Sequence, residues 1–323
     1  MAAGRPVDVA VAAARKGVFM EMGGDAPDWG IPLLFLRAKD GELFAVEQPS
    51  QLTGPAIPPP PEPARPPGVE TFIGRKAELA HYAGLLESRG MAVVAGMPGV
   101  GKTALAVTLA RALCPPEKLF WHAFHEGEEV ASILWKLAAF LAWNGRTAVW
   151  EMIQGIALSG GDLPPPDVLL DYFLQSLRGQ GYLLVLDDVQ FVLEDPALER
   201  LLNRVGQVVA AGELRLLLVS QQTPDFIPAG DVRPLTGLTR EESEGLLALH
   251  LPSVDPALAA ELHQRTHGNA QLLHLAARAC ENIRPDRLLH ELLASQDVER
   301  FLLNQVDEHL EESEKEAMSG LDL

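Results

Sequence analysis

The chain has 323 residues, with 26 basic and 44 acidic side chains and a formal net charge of −18; such a surface repels phosphate backbones and anionic lipid and argues against sequence-independent nucleic-acid or membrane binding. Two cysteines, Cys114 and Cys280, exclude a disulfide framework or a four-cysteine zinc site. No run of 18 apolar residues is present, so no membrane-spanning helix is expected. The balance points to a soluble, cytoplasmic protein that works on a small ligand or a protein partner.

Residues 6–22 read as a helix, and Ile31 to Arg37 and Leu43 to Val46 as strands around a tight Asp40-Gly41 turn. One helix and one hairpin make a poor independent core, so residues 1–53 read as the end of something larger. Ala12-Ala13-Ala14-Arg15 and Asp28-Trp29-Gly30-Ile31-Pro32-Leu33-Leu34-Phe35 are similar to the final segment of CHAT domains, a caspase-like family. No segment here holds that family's His-Cys dyad, and no protease activity is implied. Residues 54–68 contain eight prolines. Proline fixes φ and lacks an N–H, so this stretch reads as an extended spacer of about 3.1 Å per residue, in preference to a PxxP ligand.

A regular alternation follows. Apolar runs at Met91–Ala95, Leu119–Phe124, Tyr182–Leu186, Leu214–Val219 and Val232–Leu235 are separated by helical patterns, which predicts an α/β fold: a parallel five-stranded sheet in a three-layer arrangement over 69–236. From 237 onward no strand pattern recurs. Thr239 and Glu242 form a predicted capping box, and helices are expected at 240–250, 256–267, 270–281 and 286–294, with Gly268 at a helix C-terminus and Pro256 and Pro285 at N1 positions. These make a small all-α lid over 237–295. Residues 296–323 read as the start of a further, winged-helix-like module that is cut short.

Gly96-Met97-Pro98-Gly99-Val100-Gly101-Lys102-Thr103 fits the G-x-x-x-x-G-K-[ST] phosphate-binding pattern. The apolar strand before it and the helix opening at Thr103-Ala104 are the context that this chemistry needs. Pro98, Gly99, Val100, Gly101 and Ala104 are expected to wrap backbone N–H groups around the β-phosphate at a helix N-terminus. Lys102 is expected to reach the β- and γ-phosphates, and the Thr103 hydroxyl to ligate Mg²⁺. A second strand ends in Asp187-Asp188, 85 residues after Lys102. Asp187 is placed for the Mg²⁺ shell and Asp188 for general-base activation of water.

The strand at Leu119–Phe124, between these two in the chain, makes the order similar to the additional-strand division of P-loop ATPases. With Thr71-Phe72-Ile73-Gly74-Arg75-Lys76-Ala77-Glu78-Leu79 ahead of the P-loop, the chain resembles STAND ATPases of the NACHT and NB-ARC kinds. That resemblance implies that Phe72 and Ile73 contact the adenine and that Arg75 anchors the segment or the ribose. It makes Gln221 the γ-phosphate sensor, where relatives usually carry arginine. Gly268-Asn269-Ala270 stands for a Gly-x-Pro motif, with Ala270 over the base. It further implies a slow or autoinhibited ATPase, bound to ATP or ADP with Mg²⁺, that acts as a signalling switch. Sensor and effector domains in the same chain and self-association on activation would be its partners; no nucleic acid is expected. Two other functions stay open: an ADP-bound scaffold that barely turns over, and an AAA+ remodelling motor, for which Gln221-Gln222-Thr223-Pro224-Asp225 supplies no arginine finger. His263, His267 and His274 have partial metal-site spacing without an obvious further ligand, and Trp121, Trp135, Trp143 and Trp150 read as core or helix-face residues.

Overall fold

A computed structural model describes residues 57–282, except 70, 131, 162–163, 225–231 and 252–253, together with Arg287. The expected helix and hairpin before residue 57, the expected helix at 286–294 and the module from 296 lie outside the described residues.

In chain order the elements are α1 (Lys76–Ser88), β1 (Met91–Ala95), α2 (Lys102–Leu113), β2 (Leu119–Ala123), α3 (Ser132–Trp143), α4 (Ala148–Ser159), α5 (Pro166–Leu177), β3 (Leu183–Asp187), α6 (Pro196–Ala210), β4 (Arg215–Ser220), α7 (Arg240–His250), α8 (Pro256–Thr266) and α9 (Ala270–Asn282). Short 3₁₀ turns precede β2 and follow β3. The sheet is parallel in the order β1-β4-β3-β2. Each strand is apolar on both faces because both faces are covered. In β3, Leu183 and Val185 enter the core under α1 and α2, while Leu184 and Leu186 enter the larger core under α3 to α6.

The sheet order was not fixed by the chain order, and one expected strand changes. The strand that separates β1 from β3 in the sheet is β4, and β2, which separates them in the chain, lies at the far edge. The expected fifth strand shrinks to one parallel bridge, Leu235 to Gly96, with the Leu235 N–H donating to Ala95 O at 2.6 Å. Pro234 precedes it and has no N–H to extend a ladder.

The proline segment is not a free spacer along its described length. The buried Trp150 donates its indole N–H to Pro58 O at 2.8 Å, and Glu62 to Pro66 wall a cavity of about 680 Å³ with Arg111, Trp143 and Asn144. Helix α6 shows how local signals set the elements. Asp195 caps it by accepting from Ala197 N at 2.8 Å, Pro196 follows at N1, and Leu198, Leu201, Leu202, Val205, Val208 and Val209 form its buried face. Helices α7, α8 and α9 share a separate core around Leu247, Leu262, Leu273 and Ala276.

Candidate functional site

The turn from β1 to α2 is built on glycine. Gly99 (φ 74°) and Gly101 (φ 96°) both occupy the left-handed region, where a side chain is strained. A Cβ on Gly101 would meet no protein atom within 4 Å, so the turn is open at this residue. Lys102 begins α2 with only 8% of its surface exposed, and its ammonium donates to Met97 O at 3.1 Å. Burial pulls its pKa below the ordinary lysine value, and Asp188 and Asp187 pull it back up.

Asp187 ends β3 at 2% exposure. Burial, and then the neighbouring Asp188 charge, push its pKa up to about 6, against hydrogen bonds from the Thr103 hydroxyl and the Asp188 N–H and the attraction of Lys102. The Asp188 N–H lies 3.0 Å from Asp187 Oδ1. A buried carboxylate held by a hydroxyl, with no cation close enough to restore its normal pKa, is a hard-oxygen donor set that fits Mg²⁺, an ion that takes one or two carboxylates and fills its octahedron with water and phosphate. Among the described residues no cluster of three or more His, Cys, Asp or Glu exists to hold a metal without such help. Asp188 is half-buried and left-handed (φ 53°).

These groups converge on one cavity of about 780 Å³, within the size range of small-molecule sites. Every residue expected to bind nucleotide lines it: Phe72, Ile73, Arg75, Pro98, Gly99, Val100, Gly101, Lys102, Thr103, Ala104, Gln221 and Ala270, with Asp188 among them. Asp187 sits behind Thr103, outside the lining. Arg75 is turned inward. At 2% exposure its guanidinium donates to Thr236 O at 2.7 Å and Val100 O at 2.9 Å and pairs with Glu78 at 3.2 Å. It therefore ties the segment before α1 to the P-loop and to the connection into the lid.

Sequence reading missed several contributors. Thr71, Leu238, Leu246, Gln271 and His274 complete the wall. The capping box of α7 forms as expected, with Thr239 N donating to Glu242 Oε2 at 2.8 Å, but the other oxygen of Glu242 accepts from Arg75 N at 2.7 Å. The capping pattern was legible; its second use spans 167 residues of chain and left no local trace. The lid also touches the P-loop directly. The Asn269 side-chain amide donates to Pro98 O at 2.9 Å, and the Gln271 N–H donates to Gly99 O at 3.0 Å.

The histidines do not gather. His263 hydrogen-bonds Ser243 Oγ at 2.9 Å, His267 is the left-handed cap of α8, and His274 packs edge-on against His250. His122 is buried against Phe124, 3.5 Å from Glu128, and burial with Lys136 nearby drops its pKa to about 4.

Residues 85–223 match the AAA domain family. Over 295 residues, 79% of this chain, the sequence is 25% identical to an uncharacterized WD repeat-containing protein of Nostoc sp. and spans 22% of that protein. Among solved structures it is similar to a signal transduction ATPase with numerous domains (STAND) protein with a tetratricopeptide repeat sensor from Pyrococcus horikoshii, with a TM-score of 0.58 and 24% identity over 79% of this chain and 35% of that one. The ORC1 protein of Aeropyrum pernix, solved in complex with DNA, matches at a TM-score of 0.46 and 20% identity over 70% of this chain and 66% of that one. The chain thus spans about a fifth and about a third of the first two proteins. No helix among the described residues is long and apolar enough to cross a membrane. Residues 85–223 are thus similar to an AAA domain, and the chain shares its fold with a STAND protein.

Proposed function

We propose that the chain is the nucleotide-operated core of a signalling switch, which binds ATP or ADP with Mg²⁺, hydrolyses ATP slowly and links the phosphate state to the lid. The observation that supports this is the composition of the cavity of about 780 Å³: P-loop, Asp188 and Gln221 line it together with lid residues Leu246, Ala270 and Gln271. The phosphates lie on the Gly99–Thr103 backbone with Lys102 turned from Met97 O to the β/γ oxygens. The apolar side chains of Phe72, Ile73, Leu238 and Leu246 take the base. Thr103 and Asp187 hold the metal, which neutralises phosphate charge, and Asp188 accepts the proton of the attacking water. The tetratricopeptide repeat sensor of one relative and the WD repeats of the other support a protein sensor, with an effector and self-association, as the proposed partners, in the cytoplasm.

Lys102→Ala tests the binding half. It removes a desolvated cation, so the fold is retained. ADP affinity should fall by about 1.5–3 kcal/mol, the scale of a hydrogen bond to a charged group. Calorimetry that finds unchanged ADP affinity in the folded variant refutes the assignment.

A second reading, a closed ADP-bound scaffold, is favoured by the two lid hydrogen bonds to Pro98 O and Gly99 O, which hold the lid against the P-loop. Ligand shifts a conformational equilibrium only by its differential affinity for the two states, and the neutral Gln221 adds no charge that separates ATP from ADP. The ADP-bound and ATP-analogue-bound forms should therefore give the same small-angle scattering profile. A clearly more extended shape with the analogue shows that the triphosphate alone opens the lid.

A further inference from the structure

Gln190 takes no part in the fold's cores or in the cavity wall, yet it makes two specific contacts. It sits on the 3₁₀ turn Val189–Val192 directly after Asp188, half-buried. Its side-chain amide donates to Asp188 Oδ1 at 2.9 Å, and its carbonyl accepts from the Gln221 N–H at 3.1 Å. One side chain thus spans the end of β3, where the acidic pair lies, and the end of β4, where Gln221 faces the cavity.

The local electrostatics explain what such a brace does. Asp187, Asp188 and the Lys102 ammonium share one small region, and both carboxylates act on the lysine. Asp188 carries a left-handed backbone (φ 53°), a conformation that persists only when its surroundings hold it. With no fixed partner, its carboxylate is drawn to Lys102, away from where a water would be activated and onto the cation that the phosphates need. Gln190 supplies the fixed partner. The amide is neutral, so it holds the carboxylate without adding charge, and it refers its position to the backbone of β4.

We propose that Gln190 is a positioning residue for ATP hydrolysis: it fixes the Asp188 carboxylate relative to the end of β4, so that a displacement at Gln221 is passed to the base. This rests on the ATPase reading above. Gln190→Ala should lower kcat by about 10–100-fold, the penalty for a misplaced reacting group, with the KM for ATP and the ADP affinity retained. Gln190→Glu keeps the acceptor for the Gln221 N–H and turns the other contact into like-charge repulsion, so it should be at least as impaired. In an Asp188→Asn background Gln190→Ala should have no further effect, because residues that act as a unit are not additive.

A measurement independent of turnover accompanies these rates. The side-chain amide resonance that disappears in Gln190→Ala should move in Asp188→Asn. An unmoved resonance, a wild-type kcat in Gln190→Ala, or the same loss with and without Asp188 overturns the proposal. Loss of ADP affinity in parallel with kcat overturns it too, in favour of a structural role. If the wild type binds ADP but does not hydrolyse ATP, the ATPase reading fails, and the resonance still decides whether the brace exists.

Discussion

Asp188→Asn should slow ATP hydrolysis by about 10²–10⁴-fold, the usual contribution of a general base, and change ADP binding only slightly. The substitution is clean for structural reasons. Asparagine tolerates the left-handed conformation (φ 53°) at this position better than any other residue except glycine. Its amide oxygen can still accept from Gln190, which bonds Asp188 Oδ1 at 2.9 Å. What disappears is the capacity to take a proton and one negative charge beside Lys102. Removing that charge withdraws a pull that raises the Lys102 pKa, so a small change in binding accompanies a large one in rate. The measurement is steady-state phosphate release, with ADP titration calorimetry on the same preparation. Wild-type turnover in Asp188→Asn assigns the base elsewhere or removes hydrolysis from the function. Bound ADP in the purified wild type, with no turnover in either protein, supports the scaffold reading.

The parts legible in the sequence were those whose signal is local. The P-loop needs its glycines, a strand before it and a helix after it, all within a few residues, and β1 and α2 form there. The acidic pair was marked by the apolar run it ends, and the start of α7 by the three-residue spacing of its capping box. What escaped depends on distant pairing. Periodicity gives strands but not their neighbours, so β2 and β4 could not be placed in the sheet before their registers were known. Val232 to Leu235 carried a strand pattern, but Pro234 lacks the N–H that a ladder requires. For Arg75 the choice between anchoring the segment and the ribose stayed open, because nothing nearby in the chain advertises Thr236 O and Val100 O as acceptors. Gln190 and Asn269 are polar residues in turns, a composition that carries no information until their partners on β4 and the P-loop are seen.

Asp187→Asn should stabilise the protein without metal or nucleotide at neutral pH and weaken its Mg²⁺-dependent nucleotide binding. Burial raises the folded-state pKa of Asp187 from an ordinary 3.8 to about 6, so the folded state holds this proton more tightly than the unfolded chain. The stability linked to it is complete below about pH 4 and is lost as the pH rises through about 6, a difference of about 3 kcal/mol for a shift of this size. Asparagine keeps an oxygen for the Thr103 hydroxyl and the Asp188 N–H but does not ionise. The stability of the variant minus that of the wild type should therefore grow by about 2 kcal/mol between pH 4 and pH 7, with the other titrating groups cancelling in the subtraction. Urea unfolding across that range, in chelator and without nucleotide, is the measurement. With Mg²⁺ and ADP added, the sign should reverse, because the cation favours the ionised carboxylate in the wild type alone. A stability difference that does not change with pH means that Asp187 titrates like a solvated carboxylate, and the metal role inferred from its buried, hydroxyl-held position falls with it.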